Sequence, residues 1–357
     1  MNRLLIYGAN GYTGELAARE AVARGLEPIL AGRNREALLA LGTELGLTVR
    51  VFDLADSASV RRGLEGIAAV LHCAGPFVIT SRPMVQACLA AGCHYLDITG
   101  EIRVFEGVFA QQAKAEGAGV VLMPGVGFDV VPSDSLALRL AEAMPGATSL
   151  TLAFATAGGS ASRGTLKTMI ESFPEAGAIR RDGKLTAVPL AWHVREIDFG
   201  GKLGRRTCVT IPWGDLSTAW RSTGIPNLRV YTAMPPSAVR RLRWVNPLLP
   251  VAGWGPVKRF LQRRVDRLAI GPSAEARATA RTYLWGEIEG EGVRRTATLE
   301  TPEAYAFTAV SAVACARKVL AGEVKPGAWT AAQAFGSRFV DDLPGVTAGP
   351  IVDAGSV

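Results

Sequence analysis

The chain has 357 residues, enough for two domains, and its 48% hydrophobic and 20% charged content is that of an ordinary globular protein. A formal charge of +7 suits acidic partners such as a phosphorylated cofactor, an acidic carrier protein or a membrane surface, while no nucleic-acid-reading motif accompanies it. Five cysteines without a C-x-x-C pair, no leader pattern and no apolar run of ~20 residues argue for reduced thiols in a cytoplasmic protein, against a disulfide scaffold or a membrane span.

Arg3 to Tyr7 reads as a short apolar strand. Gly8-Ala9-Asn10-Gly11-Tyr12-Thr13-Gly14 follows as a glycine turn, and Glu15 to Arg24 as a helix closed by Gly25. Strand, tight turn and helix open a dinucleotide-binding unit. Glycines let a pyrophosphate approach the backbone, and the helix N-terminus offers it free N–H groups. Gly8, Asn10, Gly11, Tyr12, Thr13 and Gly14 are therefore cofactor candidates. Their spacing is G-x-x-G-x-x-G rather than G-x-G-x-x-G.

Pro28 to Ala31 is a second strand, ending at Gly32-Arg33-Asn34-Arg35. About 20 residues past the glycine turn, an NAD-binding fold places Asp or Glu on the ribose hydroxyls. Here the place holds Gly32 and then Arg33. A carboxylate repels a 2′-phosphate and a guanidinium pairs with it, so the pattern favours NADP with Arg33 as its partner. The plainer alternative, two arginines solvated at a helix start, applies to Arg35 more than to Arg33.

Glu36 to Leu45 reads as a helix and Thr48 to Phe52 as a third strand. It ends in Asp53, either a turn cap or a neighbour of the adenine. After a helix over 57–64, Ala69 to Ala74 is a continuously apolar strand, as a buried parallel strand should be. Cys73, Ala74, Gly75, Pro76 and Phe77 leave its carboxyl end, where ligands bind in open α/β sheets. A helix over 81–91 with Pro83 in its first turn precedes a strand over 94–98. That strand delivers Thr99, Gly100 and Glu101 to the same rim. A helix over 104–116 and a strand over 119–123 complete six strands of a Rossmann-type, doubly wound parallel α/β domain at residues 1–146. The loop 124–134, with Gly125 at the cofactor rim, leads into a helix from about Ser135 to Ala143.

The second half reads as an α+β domain for substrate or dimerisation, residues 147–300. A strand over 148–154 alternates with period two, 185–199 and 206–211 read as strands with turns between, and 277–289 with 293–301 as a hairpin around Glu291-Gly292. A helix covers 162–173 after a Gly158-Gly159 turn. Residues 301–357 hold a long helix over 302–321 and a tail expected to pack back on the first domain. Residues 235–267 interleave Arg and Lys with Trp and Leu, which fits either a solvated helix with snorkelling arginines or a surface for a membrane or carrier protein.

The segments YGANGYTG, AGRN, CAGPF, HYLDITGE and PGVGFDVVPSD, with GGSASRGTLKTMIES, TPEAYAFTA and FGSRFVDDLPGV further on, together resemble the saccharopine dehydrogenase-like oxidoreductases, in particular the branch of trans-acting enoyl reductases. The resemblance spans most of residues 1–345 and is thin from 175 to 275. Gly327-Ala328-Trp329-Thr330-Ala331 departs from the pattern in lacking a proline after the threonine. The resemblance implies hydride transfer from NADPH to an activated double bond, such as an enoyl thioester or conjugated carbonyl.

Hydride transfer asks the protein mainly for orientation, exclusion of water and a proton donor or oxyanion partner. Cys73, Asp97, Glu101 and Asp129 lie near the rim, with Lys167 and Tyr305 from the second half. Glu101, just past a strand end, is favoured to line the nicotinamide site. Lys167, as a hydrogen-bond donor to a substrate oxygen, and Tyr305 are the other catalytic candidates; their plainer readings are a solvated lysine and helix packing, and Asp129 reads foremost as a tie for its loop. His72-Cys73 and Cys93-His94 fall at opposite ends of parallel strands, which argues against a zinc site, and His193 stands alone. No G-x-S-x-G elbow or Tyr-x-x-x-Lys pair is present. Two rivals remain open: a carbon–nitrogen oxidoreductase acting on an amino-acid adduct, which needs converging arginines such as Arg163, Arg195 and Arg205, and a non-catalytic NADP-binding module associated with a membrane or carrier. A homodimer is left open.

Overall fold

The computed structural model describes residues 3–157, 162–172, 177–245, 254–265 and 271–356. The chain forms two compact units: residues up to Asp129 together with Tyr305–Ala334, and Val130–Ala304 together with Phe335–Val357. The division at Asp129 differs from the expected boundary at 146, and the tail after Ala334 groups with the second unit rather than the first.

In the first unit strands β1 (Leu4–Tyr7), β2 (Ile29–Gly32), β3 (Val49–Val51), β4 (Ala69–His72), β5 (His94–Asp97) and β6 (Val121–Met123) alternate with helices α1 (Tyr12–Ala23), α2 (Arg35–Leu45), α3 (Ser57–Gly63), α4 (Phe77–Ala91), α5 (Ile102–Phe109) and α6 (Gln112–Ala118). The sheet order is 3-2-1-4-5-6 and all pairs are parallel, the doubly wound arrangement expected. β1, β2 and β4 are buried along their whole length, which is why their sequences run apolar without alternation. A seventh strand, Gly327–Ala328, pairs with β6. Two residues give no periodicity, so no sequence signal marks it.

α4 starts at Phe77, four residues before the expected Ser81, which moves Pro83 from the first turn into the helix interior. The expected helix 104–116 is two helices, broken between Phe109 and Gln112.

The second unit is built on a mixed sheet. β7 (Ser149–Ala157), β8 (Gly177–Arg181), β9 (Lys184–Val188), β10 (Val194–Asp198), β11 (Arg205–Thr210), β12 (Asn227–Ala233), β13 (Arg281–Gly290) and β14 (Val293–Pro302) supply most of it. The main path runs 10-11-12-7-13-14; β7 and β12 are parallel and the other neighbours antiparallel. Glu291 and Gly292, both at positive φ, turn the β13–β14 hairpin. Helix α7 (Val131–Ala143) starts at Val131, four residues earlier than expected, and packs on β13 and β14. Gly286 permits this approach: a Cβ there would stand 2.6 Å from Leu140 Cδ1. The other residue parity of the strands gathers Ala153, Ala155, Cys208, Tyr231, Tyr283 and Trp285 into one core cluster. Helices α8 (Arg163–Ser172), α9 (Asp215–Thr223), α10 (Pro236–Val245) and α11 (Gly255–Val265) complete the unit's longer elements. The expected Gly158-Gly159 turn lies outside the described residues.

Candidate functional site

The turn after β1 is held by its backbone. The N–H of Gly8 donates to Ala31 O at 2.7 Å, that of Gly11 to Gly8 O at 2.9 Å, and that of Glu15 to Gly11 O at 2.8 Å. Each glycine has its own reason. Gly8 sits at φ +83°, and a Cβ on it would meet Ala74 at 2.9 Å, where the ends of β1 and β4 converge. A Cβ on Gly14 would stand 2.2 Å from Gly8 O, so α1 can press against the turn only because position 14 is bare. Gly11 is the exposed N-cap of α1 and supplies no side-chain cap. That leaves the helix entrance open to an anion.

The β2 end borders the same turn. A Cβ on Gly32 would lie 3.0 Å from Asn10 Oδ1. Asn10 thus leaves little room for a side chain at position 32. Asn34 caps α2 by accepting from Ala37 N at 3.2 Å, and the exposed Arg33 makes no ion pair among the described residues. The residues fit a pyrophosphate at Gly8–Gly14 and a 2′-phosphate beside Arg33.

Asp53 accepts from Ala55 N at 3.0 Å, the turn-capping role, and is exposed. Tyr7 ties the ends of β1 and β3 together by donating to Phe52 O at 3.1 Å. Burial pushes its phenol up to about 12.

The β4 end is more enclosed. His72 is fully buried among the rings of Tyr7, Phe77 and Tyr95, and burial drives its imidazole down to about 3. Its Nε2 lies 3.0 Å from Thr80 Oγ1, and that hydroxyl donates to Ala74 O at 2.6 Å. Thr80 spends its one proton on the carbonyl, so the neutral imidazole donates through Nε2. Its Nδ1 has no partner among the described residues. Burial first, and Asp97 second, push the Cys73 thiol up to about 12, which removes it as a thiolate nucleophile.

Glu101 is tied to the backbone at the entrance of α4. Its Oε1 accepts from Phe77 N at 2.9 Å and its Oε2 from Val78 N at 2.8 Å, so this buried carboxylate caps the α4 N-terminus from 24 positions away. It holds the Gly75-Pro76-Phe77 segment in place and explains the early start of α4. Asp97 does similar work one strand end over. It accepts from Tyr95 OH at 2.6 Å, Thr99 N at 3.0 Å and Gly125 N at 2.8 Å. Burial outweighs these bonds and lifts its carboxyl to about 6.

The loop after β6 is secured by the helix Ala304–Leu320. Thr308 Oγ1 accepts from Phe128 N at 2.9 Å and Ser311 donates to Val126 O at 2.7 Å. Tyr305, on the same helix, meets Tyr12 edge-to-face with centroids 5.0 Å apart, which brings it to the entrance of α1 rather than into anonymous helix packing. Asp129 packs on Gly100, where a Cβ would meet its Oδ2 at 2.5 Å, and burial lifts its carboxyl to about 7.

Lys167 lies partly buried on α8 of the second unit. Arg195 is committed to Glu287, with N–O distances of 2.9 and 3.3 Å, and stacks over Trp285. Arg205 pairs with Asp198 at 3.6 Å on the opposite face of the β10–β11 ladder, so these two arginines do not converge. The side chain of Arg163 is outside the described residues. His193 Nδ1 lies 3.0 Å from Tyr231 OH. His72 pairs with Asp97 across the β4–β5 ladder while His94 pairs with Ala69. Among the described residues no three His, Cys, Asp or Glu side chains group as a metal site, and no helix is long and apolar enough to cross a membrane.

Sheet order, glycine turn and the Gly32–Arg33 strand end define the first unit as a Rossmann-type dinucleotide-binding domain. Residues 4–123 match the family of the saccharopine dehydrogenase NADP-binding domain, which places this unit in that family and identifies its cofactor as NADP. The human saccharopine dehydrogenase-like oxidoreductase is 29% identical over 233 residues, 57% of this chain and 52% of its own. A Mycobacterium tuberculosis protein provisionally named a trans-acting enoyl reductase is 36% identical over 141 residues, 37% of this chain and 33% of its own. The chain thus spans about half the length of the first of these relatives and a third of the second. Saccharopine dehydrogenase (L-glutamate forming) of Saccharomyces cerevisiae shares the fold at a TM-score of 0.69 over 99% of this chain and 100% of its own, at 12% identity.

Proposed function

We propose that the chain is an NADP(H)-dependent reductase acting on an activated carbon–carbon double bond, as in an enoyl thioester or conjugated carbonyl. NADPH, when bound, supplies the hydride. The chain's own residues hold the cofactor's phosphates at Gly8–Gly14 and Arg33, exclude water through the apolar packing around His72, and keep the rim rigid through Glu101 and Asp97. Asp129 carries a carboxyl that exchanges its proton near neutrality and is the rim group suited to hold one. The observation that carries the reading is the pairing of the bare Gly32 against Asn10 with the unpaired Arg33.

The choice of substrate is supported by the second unit and by the name of the mycobacterial relative. An amino-acid adduct rich in carboxylates needs converging cations. Arg195 is instead neutralised by Glu287, and Arg205 lies on the other face of its hairpin. NADPH oxidation followed at 340 nm across enoyl thioesters, conjugated ketones and imines tests the proposal. Turnover of the carbon–carbon substrates alone is expected. Turnover of imines alone would overturn the substrate, and NADPH binding without any turnover would favour a non-catalytic module.

A further inference from the structure

The positive charge of this chain is not spread evenly. From Leu216 to Val265 the sequence holds nine Lys and Arg and no Asp or Glu, more positive charge than the net +7 of the whole chain. Within that run the described part of α10 buries Val239 in a small core cluster, with Leu242 packed against it. Its opposite side carries Ser237, Arg240, Arg241 and Trp244, spaced i, i+3, i+4, i+7, lining an open concavity of about 660 Å³. α11 repeats the plan. Val265 is buried, and the far side presents Pro256, Arg259, Phe260 and Arg263 at the same spacing. Trp244 is 85% exposed and Phe260 58%. Trp254, at the entrance of α11, is 66% exposed. Arg240, Arg241, Arg259 and Arg263 make no ion pair among the described residues.

Two helices therefore each display a stripe of two unpaired arginines and one protruding aromatic ring. A face meant only for water has no use for rings at this exposure, and an apolar protein groove has no use for paired guanidinium groups. An anionic lipid surface uses both: the rings enter the headgroup boundary and the arginines meet the phosphates. We propose that α10 and α11 form a peripheral docking surface for membranes bearing anionic phospholipids. Trp244 only edges an open concavity, and rings standing this far into solvent on two helices suit a deformable bilayer better than a carrier protein.

The test is flotation of the full-length protein with phosphatidylcholine vesicles and with vesicles in which a third of the lipid is phosphatidylglycerol. Binding to the anionic vesicles alone, weakened by added salt, is expected. Neutralising the arginines one by one (Arg240→Gln, Arg241→Gln, Arg259→Gln) should weaken partitioning by about fivefold each. Brominated lipid should quench the tryptophan fluorescence of wild type, and Trp244→Ala with Phe260→Ala should lower partitioning to the anionic vesicles and weaken the quenching of the remaining Trp254. NADPH affinity and melting temperature serve as controls and should not move in any variant. Failure of wild type to float with anionic vesicles at low salt, equal binding to neutral vesicles, or unaltered flotation of the triple Gln variant would each overturn the proposal. So would capture by an acidic carrier protein or by nucleic acid in place of vesicles.

Discussion

The two units solve the problem of charge in opposite ways. At the rim of the first, ionisable groups are buried and answered by backbone: Glu101 by two N–H groups of α4, Asp97 by those of Thr99 and Gly125. In the second, charges meet other charges across strands, as Arg195 meets Glu287, or stand open on α10 and α11. Backbone groups cannot mutate, so a rim built on them constrains side-chain identity closely. A sheet face of paired side chains can be rewritten two residues at a time. The cofactor unit is the part that matches a family model.

The comparison breaks most visibly at Gly14. Ala there places a Cβ 2.2 Å from Gly8 O, and neither backbone segment can yield cheaply. Gly14→Ala should lower stability by about 3 kcal/mol in urea unfolding, the upper range for overpacking, and weaken NADPH binding by on the order of a hundredfold in calorimetric titration. Gly11→Ala meets Gly8 O only at 3.2 Å. It should keep the fold and lose about tenfold in NADPH affinity. Equal effects at both positions would mean that the turn is softer than its contacts imply.

Glu101→Ala comes next. It leaves the N–H groups of Phe77 and Val78 without their acceptor in a buried place, a loss of about 2–3 kcal/mol by urea unfolding. Glu101→Gln keeps one acceptor and should recover about half. A variant with normal stability and no turnover would instead make Glu101 a participant in the chemistry. Arg33→Ala should weaken NADPH by on the order of tenfold, a charge-assisted contact's worth, and leave NADH unchanged. Equal losses for both cofactors would remove the 2′-phosphate role.

A smaller effect separates the units by pH. Burial raises the Asp129 carboxyl from its ordinary 3.8 to about 7, so the folded chain holds that proton more tightly than the unfolded one. The stability this contributes is fully present below about pH 4 and is lost as pH rises through about 7. Asp97, raised to about 6, acts in the same direction. Asp129→Asn should therefore flatten roughly half of the decline between pH 4 and 7 and leave the variant about 1–2 kcal/mol more stable than wild type at pH 8. An unchanged slope would place Asp129 in water.

The sequence was most legible where local chemistry decides the structure. Glycines at Gly8 and Gly14 and the Glu291-Gly292 hairpin carry signals within a few residues. It was least legible where partners are distant. Nothing near Glu101 announces that it caps a helix 24 positions earlier, and nothing near Thr308 or Ser311 announces their bonds to the loop at Val126–Phe128. The strand Gly327–Ala328 exists only because β6 offers it an edge. The early start of α7 at Val131 follows the same rule, since its packing partners β13 and β14 lie over 140 residues downstream.

Arg195 and Glu287 test the second unit's side of the comparison. Arg195 lies on β10 and Glu287 on β13, 92 positions away, and they meet at 2.9 Å with side chains 30% and 12% exposed. The Trp285 ring, 5.0 Å from the guanidinium, shields the pair on one side. Such a partly buried, two-pronged pair should show a coupling of about 1 kcal/mol in a double-mutant cycle of Arg195→Met and Glu287→Gln followed by thermal unfolding. Glu287→Gln alone should free Arg195 as a cation on that face and improve the handling of carboxylate-bearing imines, if the substrate choice depends on its neutralisation. Should the coupling vanish and the single variant leave the substrate panel unchanged, the pair is ornamental, and selection between double bonds and carboxylate-rich adducts must rest on other residues.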